Sequence, residues 1–170
     1  MNAVDVLRSA FGGAHHWYEG TTAGITADQA NQLPAGIAHP IGSQMAHVMH
    51  AEDALIGMLS EQPSLWESQG WGQKLGLPML STQTTEGSRA FRCDPAQLED
   101  YRQAVFARTD AYLSSLSPED LDRPLDLSSW GIGTISVGQF LTTMLLGNTY
   151  AHTGEISALK GTMGLKGYPF

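Results

Sequence analysis

Apolar positions recur at helical spacing in four separate stretches of this chain. Val4, Leu7, Phe11 and Tyr18 mark a first helix from about Asn2 to Tyr18. Ile41, Met45, Val48, Leu55 and Leu59 mark a second, running from near Ile41 to about Leu59, where Pro63 soon forbids continuation. Leu98, Tyr101, Val105, Tyr112 and Leu116 form the stripe of a third, opened by the N-cap and first-turn proline of Asp94-Pro95. Val137, Leu141, Met144, Leu145, Ile156 and Leu159 form the fourth, with Ser136 and Gln139 at capping-box spacing and Gly161 and Gly164 near its end.

Between these stripes the periodicity fails. Residues 21–40 hold Gly24, Pro34, Gly36 and Pro40 and read as loop. The 60–93 connector carries Trp66, Trp71 and several glycines, and a loop of that length is usually functional or mobile. The second long connector ends in Gly131-Ile132-Gly133-Thr134. No run reads as alternating strands and no repeat is visible. The fold class is all-α: an antiparallel four-helix bundle, residues 1–170 as one domain, with long connectors between helices 2 and 3 and between 3 and 4.

Polar residues inside the stripes carry the chemical signal. At 100° per residue, Asn148, His152 and Glu155 fall near the middle of the fourth helix's apolar face. Three such groups are costly to bury unless each finds a partner. They form either a hydrogen-bond network that sets helix register or a ligand set, since i, i+4 and i+7 project one way. In the second helix Glu52 is central to the stripe, His47 lies at its edge and His50 points away. Glu52 orients a histidine, caps a polar network or pairs with an arginine. His15, between Phe11 and Tyr18, is a core residue or lines a pocket, whereas His16 points elsewhere and His39 sits in a turn before Pro40. Trp71 and Trp130 lie in connectors, where aromatic rings close over ligands or plug a core. Glu52 and Glu155 are the candidate acid–base groups.

Composition removes several functions. The net charge of −8 is spread evenly, 8 acidic and 4 basic residues over 1–92 and 9 and 5 over 93–170. Without a basic patch, neither nucleic acid nor an anionic membrane is an expected partner. A small molecule, or a second copy, fits better. The single Cys93 allows no intrachain disulfide and suits a reducing compartment, so a cytoplasmic location is expected. No G-x-S-x-G, phosphate-binding or dinucleotide-binding motif is present, and the carboxylate of Asp94 opposes activation of Cys93 as a nucleophile.

The runs HPIGSQMAHVMHAED and PSLWESQGWGQKLGLP and the ending NTYAHTGEISALKGTMGLKGYPF resemble the DinB-like superfamily over nearly the whole chain. The resemblance implies a four-helix bundle, often dimeric, with a divalent metal (Zn or Ni) held by three histidines. One comes from the second helix and two from an H-x-x-x-H pair on the fourth. By position these fall on His47, on Asn148 in place of the first histidine of the pair, and on His152, with Glu52 at the family's acidic position. An amide oxygen is a weaker ligand than imidazole for such ions. The family includes thiol transferases and a mycothiol-dependent maleylpyruvate isomerase, which implies transfer or isomerisation of a small molecule with a low-molecular-weight thiol. The alternative is a non-catalytic binding or dimerising stress-response module with a degenerate site.

Overall fold

Capping residues and apolar stripes together set the helices. The computed structural model describes residues 1–77 and 85–170; residues 78–84 of the 60–93 connector lie outside the described residues. Helix α1 (Ala3–Thr22) starts at Asn2, whose side chain accepts from the Asp5 backbone N–H while Asp5 accepts from that of Asn2, each at 2.9 Å. It extends beyond Tyr18 because the Thr22 hydroxyl donates to the Tyr18 carbonyl at 2.8 Å and Ala23 N–H to that of Glu19. A short α2 (Ala27–Asn31) interrupts the expected loop, capped by Thr26 and Gln29.

Helix α3 (Ile41–Leu59) follows Pro40 and is buried along most of its length, on more than one side. It packs against α2, against α7 (Glu99–Ser115) and against α9 (Gly147–Thr162), while α1 packs on α7 and α9. Asp94 caps a 3₁₀ turn over Pro95–Leu98, which leads into α7. Three short helices, α4 (Leu65–Ser68), α5 (Trp71–Leu75) and α6 (Thr85–Ala90), occupy the described part of the 60–93 connector. No helix among the described residues is long and apolar enough to cross a membrane.

The second connector differs from the strand-free expectation. It forms a hairpin of β1 (Pro124–Leu127) and β2 (Gly133–Ser136), antiparallel, with Leu125 opposite Ile135. Gly131 and Gly133 turn it with φ of 74° and 82°. Four-residue strands are too short for alternation to stand out.

The fourth long segment is not one continuous α-helix. The Ser136–Gln139 capping box opens α8 (Val137–Phe140), a π-helical turn spans Leu141–Leu146, and α9 continues to Thr162. Before the turn the buried positions are Val137 and Phe140, within it Leu141 and Leu145, and after it Thr149, Thr153, Ile156 and Lys160. The wider turn takes up an extra residue and shifts the inward face.

Two apolar clusters form the core. One gathers Tyr18, Ile41, Met49, Tyr101, Val105 and Ile156, the other Leu7, Phe11, Ile56, Leu113, Phe140 and Leu145. Between them each long helix carries polar residues: His15 lies between Phe11 and Tyr18, Glu52 between Met49 and Ile56, Thr109 between Phe106 and Leu113, and Thr149 and Thr153 between Leu145 and Ile156. A polar layer separates the two clusters.

Candidate functional site

His47 of α3 and His152 of α9 stand edge to face, ring centroids 4.6 Å apart. With Ser43, Gln44, His39 and Ser88 they line a cleft of about 150 Å³. The His152 Nδ1 lies 2.7 Å from Glu155 Oε2 and 3.3 Å from Gln44 Oε1. Both neighbours are acceptors, so the neutral ring carries its proton on Nδ1 and keeps the Nε2 lone pair free. Gln44 is itself oriented, because its Nε2 donates to the His39 carbonyl at 3.3 Å.

Asn148, one turn before His152, hydrogen-bonds His47. Burial, and then the neighbouring His152, hold the His47 pKa below its ordinary value, against the opposing hydrogen bond in which the Asn148 amide oxygen accepts from the ring. At neutral pH His47 therefore offers an uncharged ring.

The fourth-helix polar triad sits at the border of the buried face and not in its middle. Asn148 and His152 are half-buried, and the Glu155 side chain is 57% exposed. The π turn is the reason: it carries the inward stripe onto Thr149, Thr153 and Ile156, one position along from Asn148, His152 and Glu155. This displacement opens the triad to solvent, and with it the cleft.

Glu52 and His15 are placed together, away from that cleft. The Glu52 carboxylate, 2% exposed, meets His15 Nε2 at 2.9 Å and accepts from the Thr109 hydroxyl at 2.6 Å, while the His15 ring stacks on Phe106 at 3.6 Å. The arginine partner belongs to the next residue: Asp53 accepts from Arg108 Nη1 at 2.9 Å. Trp71 packs beside Tyr101 at 5.5 Å, and Trp130, 47% exposed, lies near Phe140 at the hairpin. Neither ring lines the cleft.

His50 packs at the seam of α3 and the connector, edge to face with Trp66 at 4.2 Å, and burial lowers its pKa to about 4. Cys93 is buried, and burial, then Asp94, pushes its thiol up to about 11, far from a reactive thiolate.

Gln44, Ser43 and Ser88 enter the site without having been singled out in the sequence, and His39, expected only to shape a turn, joins them. Gln44 and Ser43 precede His47 by three and four residues, so helical neighbourhood was the available signal. Ser88 reaches the cleft only through tertiary packing of α6.

A larger cavity of about 540 Å³ lies elsewhere, between Tyr18, Met45, Met49, Leu98 and Arg102. Its one arginine, Arg102, pairs with both Glu19 and Glu99. Among the described residues no group of three or more His, Cys, Asp or Glu side chains is disposed to hold a metal ion.

A mostly helical fold with an imidazole pair between two long helices defines a helical-domain protein with a polar interhelical cleft. Its sequence fits the profile of the DinB superfamily over residues 11–156, so the chain belongs to that superfamily. The crystal structure of a conserved protein from Enterococcus faecalis superposes with a TM-score of 0.83 at 24% identity, covering 96% of this chain and 99% of that one. This likeness shows the shared fold. No curated protein matches the sequence.

Proposed function

We propose that the chain is a metal-dependent enzyme of the DinB type acting on a small molecule, with His47 and His152 holding one divalent ion. The observation that carries this reading is the pair of rings 4.6 Å apart, each with one side fixed by a neighbour: Glu155 and Gln44 on His152, Asn148 on His47. A carboxylate on the second nitrogen of an imidazole is the usual support for a metal-bound histidine. Two imidazoles suit Zn or Ni, and Asn148 can add no more than an amide oxygen, so a bound ion keeps positions open.

When bound, such an ion lowers the pKa of a thiol or water and makes it nucleophilic near neutral pH. The chain's own residues do the rest. Glu155 holds the His152 proton on Nδ1, Gln44 fixes the ring's orientation, and Glu155, half exposed, is placed to accept or return a substrate proton. A low-molecular-weight thiol as co-substrate, an antiparallel four-helix bundle and a homodimer belong to the same proposal, supported by the superfamily membership. So does a cytoplasmic setting, supported by the lone buried Cys93.

The test is elemental analysis of the untagged protein beside a His47→Ala/His152→Ala variant. Metal near one per chain that vanishes in the variant upholds the reading; protein that takes up neither Zn nor Ni sinks it.

One observation favours a second reading. Asn148 already engages His47, which suits a metal-free pocket that hydrogen-bonds a small ligand without transforming it. Stability and ligand binding would then be indifferent to chelator.

A further inference from the structure

The 540 Å³ cavity lined from α1, α3 and the start of α7 has neither His47 nor His152 on its wall. Its volume falls within the roughly 300–1,000 Å³ usual for small-molecule sites. Its buried lining is mostly apolar: Tyr18, Ile25, Met45, Met49 and Leu98 are each no more than 8% exposed. The hydroxyls there are already committed, Tyr18 donating to the Met45 carbonyl and Thr22 to that of Tyr18. The charged lining consists of Glu19, Glu99 and Arg102.

Arg102 is engaged within this set. Its Nε and Nη2 donate to the two oxygens of Glu99, its Nη1 donates to Glu19, and its guanidinium lies over the Phe106 ring at 5.3 Å. Two carboxylates against one guanidinium leave one negative charge, and Glu19 Oε2 receives no hydrogen bond among the described residues. The backbone adds to the same sign. Glu19, Thr22, Ala23 and Gly24 bring the C-terminal end of the 20-residue α1 to the wall, where the helix dipole is negative, and the last turn holds no basic residue. The chain answers that end with an ammonium from α9: Lys160, which does not line the cavity, donates from Nζ to the Thr21 carbonyl at 2.6 Å. The other helix end on the wall, Pro95–Leu98, already has its anion, because the Asp94 carboxylate accepts from the Ala96 N–H at 3.0 Å.

We propose that this cavity binds a small organic cation, a protonated primary amine on an apolar body, with the ammonium at Glu19 and the end of α1 and the body against Met45, Met49 and Leu98. An ammonium supplies donors to Glu19 Oε2 and to the α1 end, and it completes the charge balance that Arg102 alone does not reach. An anion approaching Arg102 meets two carboxylates already on its fork. The two thioethers give a conformable wall for a flexible chain. This site lies outside the proposed reaction and does not depend on a metal at His47 and His152.

Hexylammonium, hexan-1-ol and hexanoate share one apolar chain and differ in charge, and calorimetric titration of each into the full chain at neutral pH is the test. Hexylammonium is expected to bind, hexan-1-ol about tenfold more weakly, and hexanoate no more tightly than the alcohol. Glu19→Gln, at a side chain 43% exposed, is expected to reduce the preference for the amine from about tenfold to about twofold. Ala96→Trp, at an exposed lining position, is expected to weaken hexylammonium by about tenfold by filling the space. His47→Ala/His152→Ala is expected to bind hexylammonium as the parent does, which separates this cavity from the cleft. Absence of hexylammonium binding, hexanoate binding as tight as that of the amine, or a preference unchanged in Glu19→Gln overturns the inference. A loss of hexylammonium binding in the double histidine variant moves the amine to the cleft and overturns it as well.

Discussion

Glu52 and His15, 37 residues apart in sequence, meet at 2.9 Å in the layer that divides the two apolar clusters of the core. The carboxylate also accepts from Thr109, so one buried acid ties α3 to α1 and to α7 at the same level. A layer of this kind costs desolvation and offers directional contacts that apolar side chains cannot.

Removing the acid alone should therefore be expensive. Glu52→Ala leaves His15 and Thr109 without their acceptor and is expected to lower the unfolding free energy by about 3–5 kcal/mol. Replacing the layer together, as His15→Leu, Glu52→Leu and Thr109→Val, is expected to recover most of that loss. Urea unfolding of the two variants checks both. A single variant within about 1 kcal/mol of the parent would show that the layer carries no such weight.

Asp53 serves a different purpose, pinning the connector to α3. It accepts from the backbone N–H groups of Leu65 and Trp66 at 2.8 and 2.9 Å, from the Tyr101 hydroxyl at 2.9 Å and from Arg108 at 2.9 Å. Asp53→Ala orphans all four donors and leaves Arg108 without its counter-charge, at an expected cost of about 3–5 kcal/mol. Because two of the donors open α4, limited proteolysis should show new cleavage around Leu65–Leu75. Unchanged protease resistance would mean that Trp66 and Leu65 hold the connector by packing alone.

The bounds of α3 were legible because prolines bracket it, and the start of α8 because Ser136 and Gln139 cap it. The pairing of His47 with His152 followed from the family resemblance rather than from either helix alone. What was not legible has physical causes. A π turn leaves no mark in an apolar pattern whose four-residue spacings it merely prolongs, so the polar triad read as central when it lies at the edge. Glu52 and Asp53 are adjacent acids, both almost fully buried, and only tertiary packing decides which of them receives the arginine. His39, on the loop before α3, and Ser88, on α6, reach the cleft through packing that no sequence periodicity marks.

Acid should weaken the fold through His50. Burial lowers its pKa from 6.5 to about 4, and its Nδ1 has no hydrogen-bond partner. The folded value lies below the unfolded one, so the unfolded chain binds the proton more readily. The stabilising share of the neutral ring is thus complete above about pH 6.5 and is lost as pH falls toward 4. The slope approaches about 1.4 kcal/mol per pH unit in that window. Between pH 7 and 5 the parent should lose about 2 kcal/mol more than His50→Phe, a variant that keeps a ring against Trp66 but cannot titrate. Parallel pH profiles for the two proteins would remove His50 as the cause.

Asn148→His is the sharpest test of what the cleft has kept. The substitution puts a third imidazole at the position that hydrogen-bonds His47, one helical turn from His152, where two histidines at i and i+4 share a face. If His47 and His152 already form a metal-holding pair, the added imidazole should tighten Zn or Ni binding by about tenfold or more, or about 1.4 kcal/mol. Competition titration against a chelator of known affinity measures the change, with His47→Ala/Asn148→His as control. A gain that disappears in the control places the ion between α3 and α9. A gain that survives the loss of His47 places it on α9 alone, with Glu155 as the remaining donor, and the interhelical site would have to be abandoned.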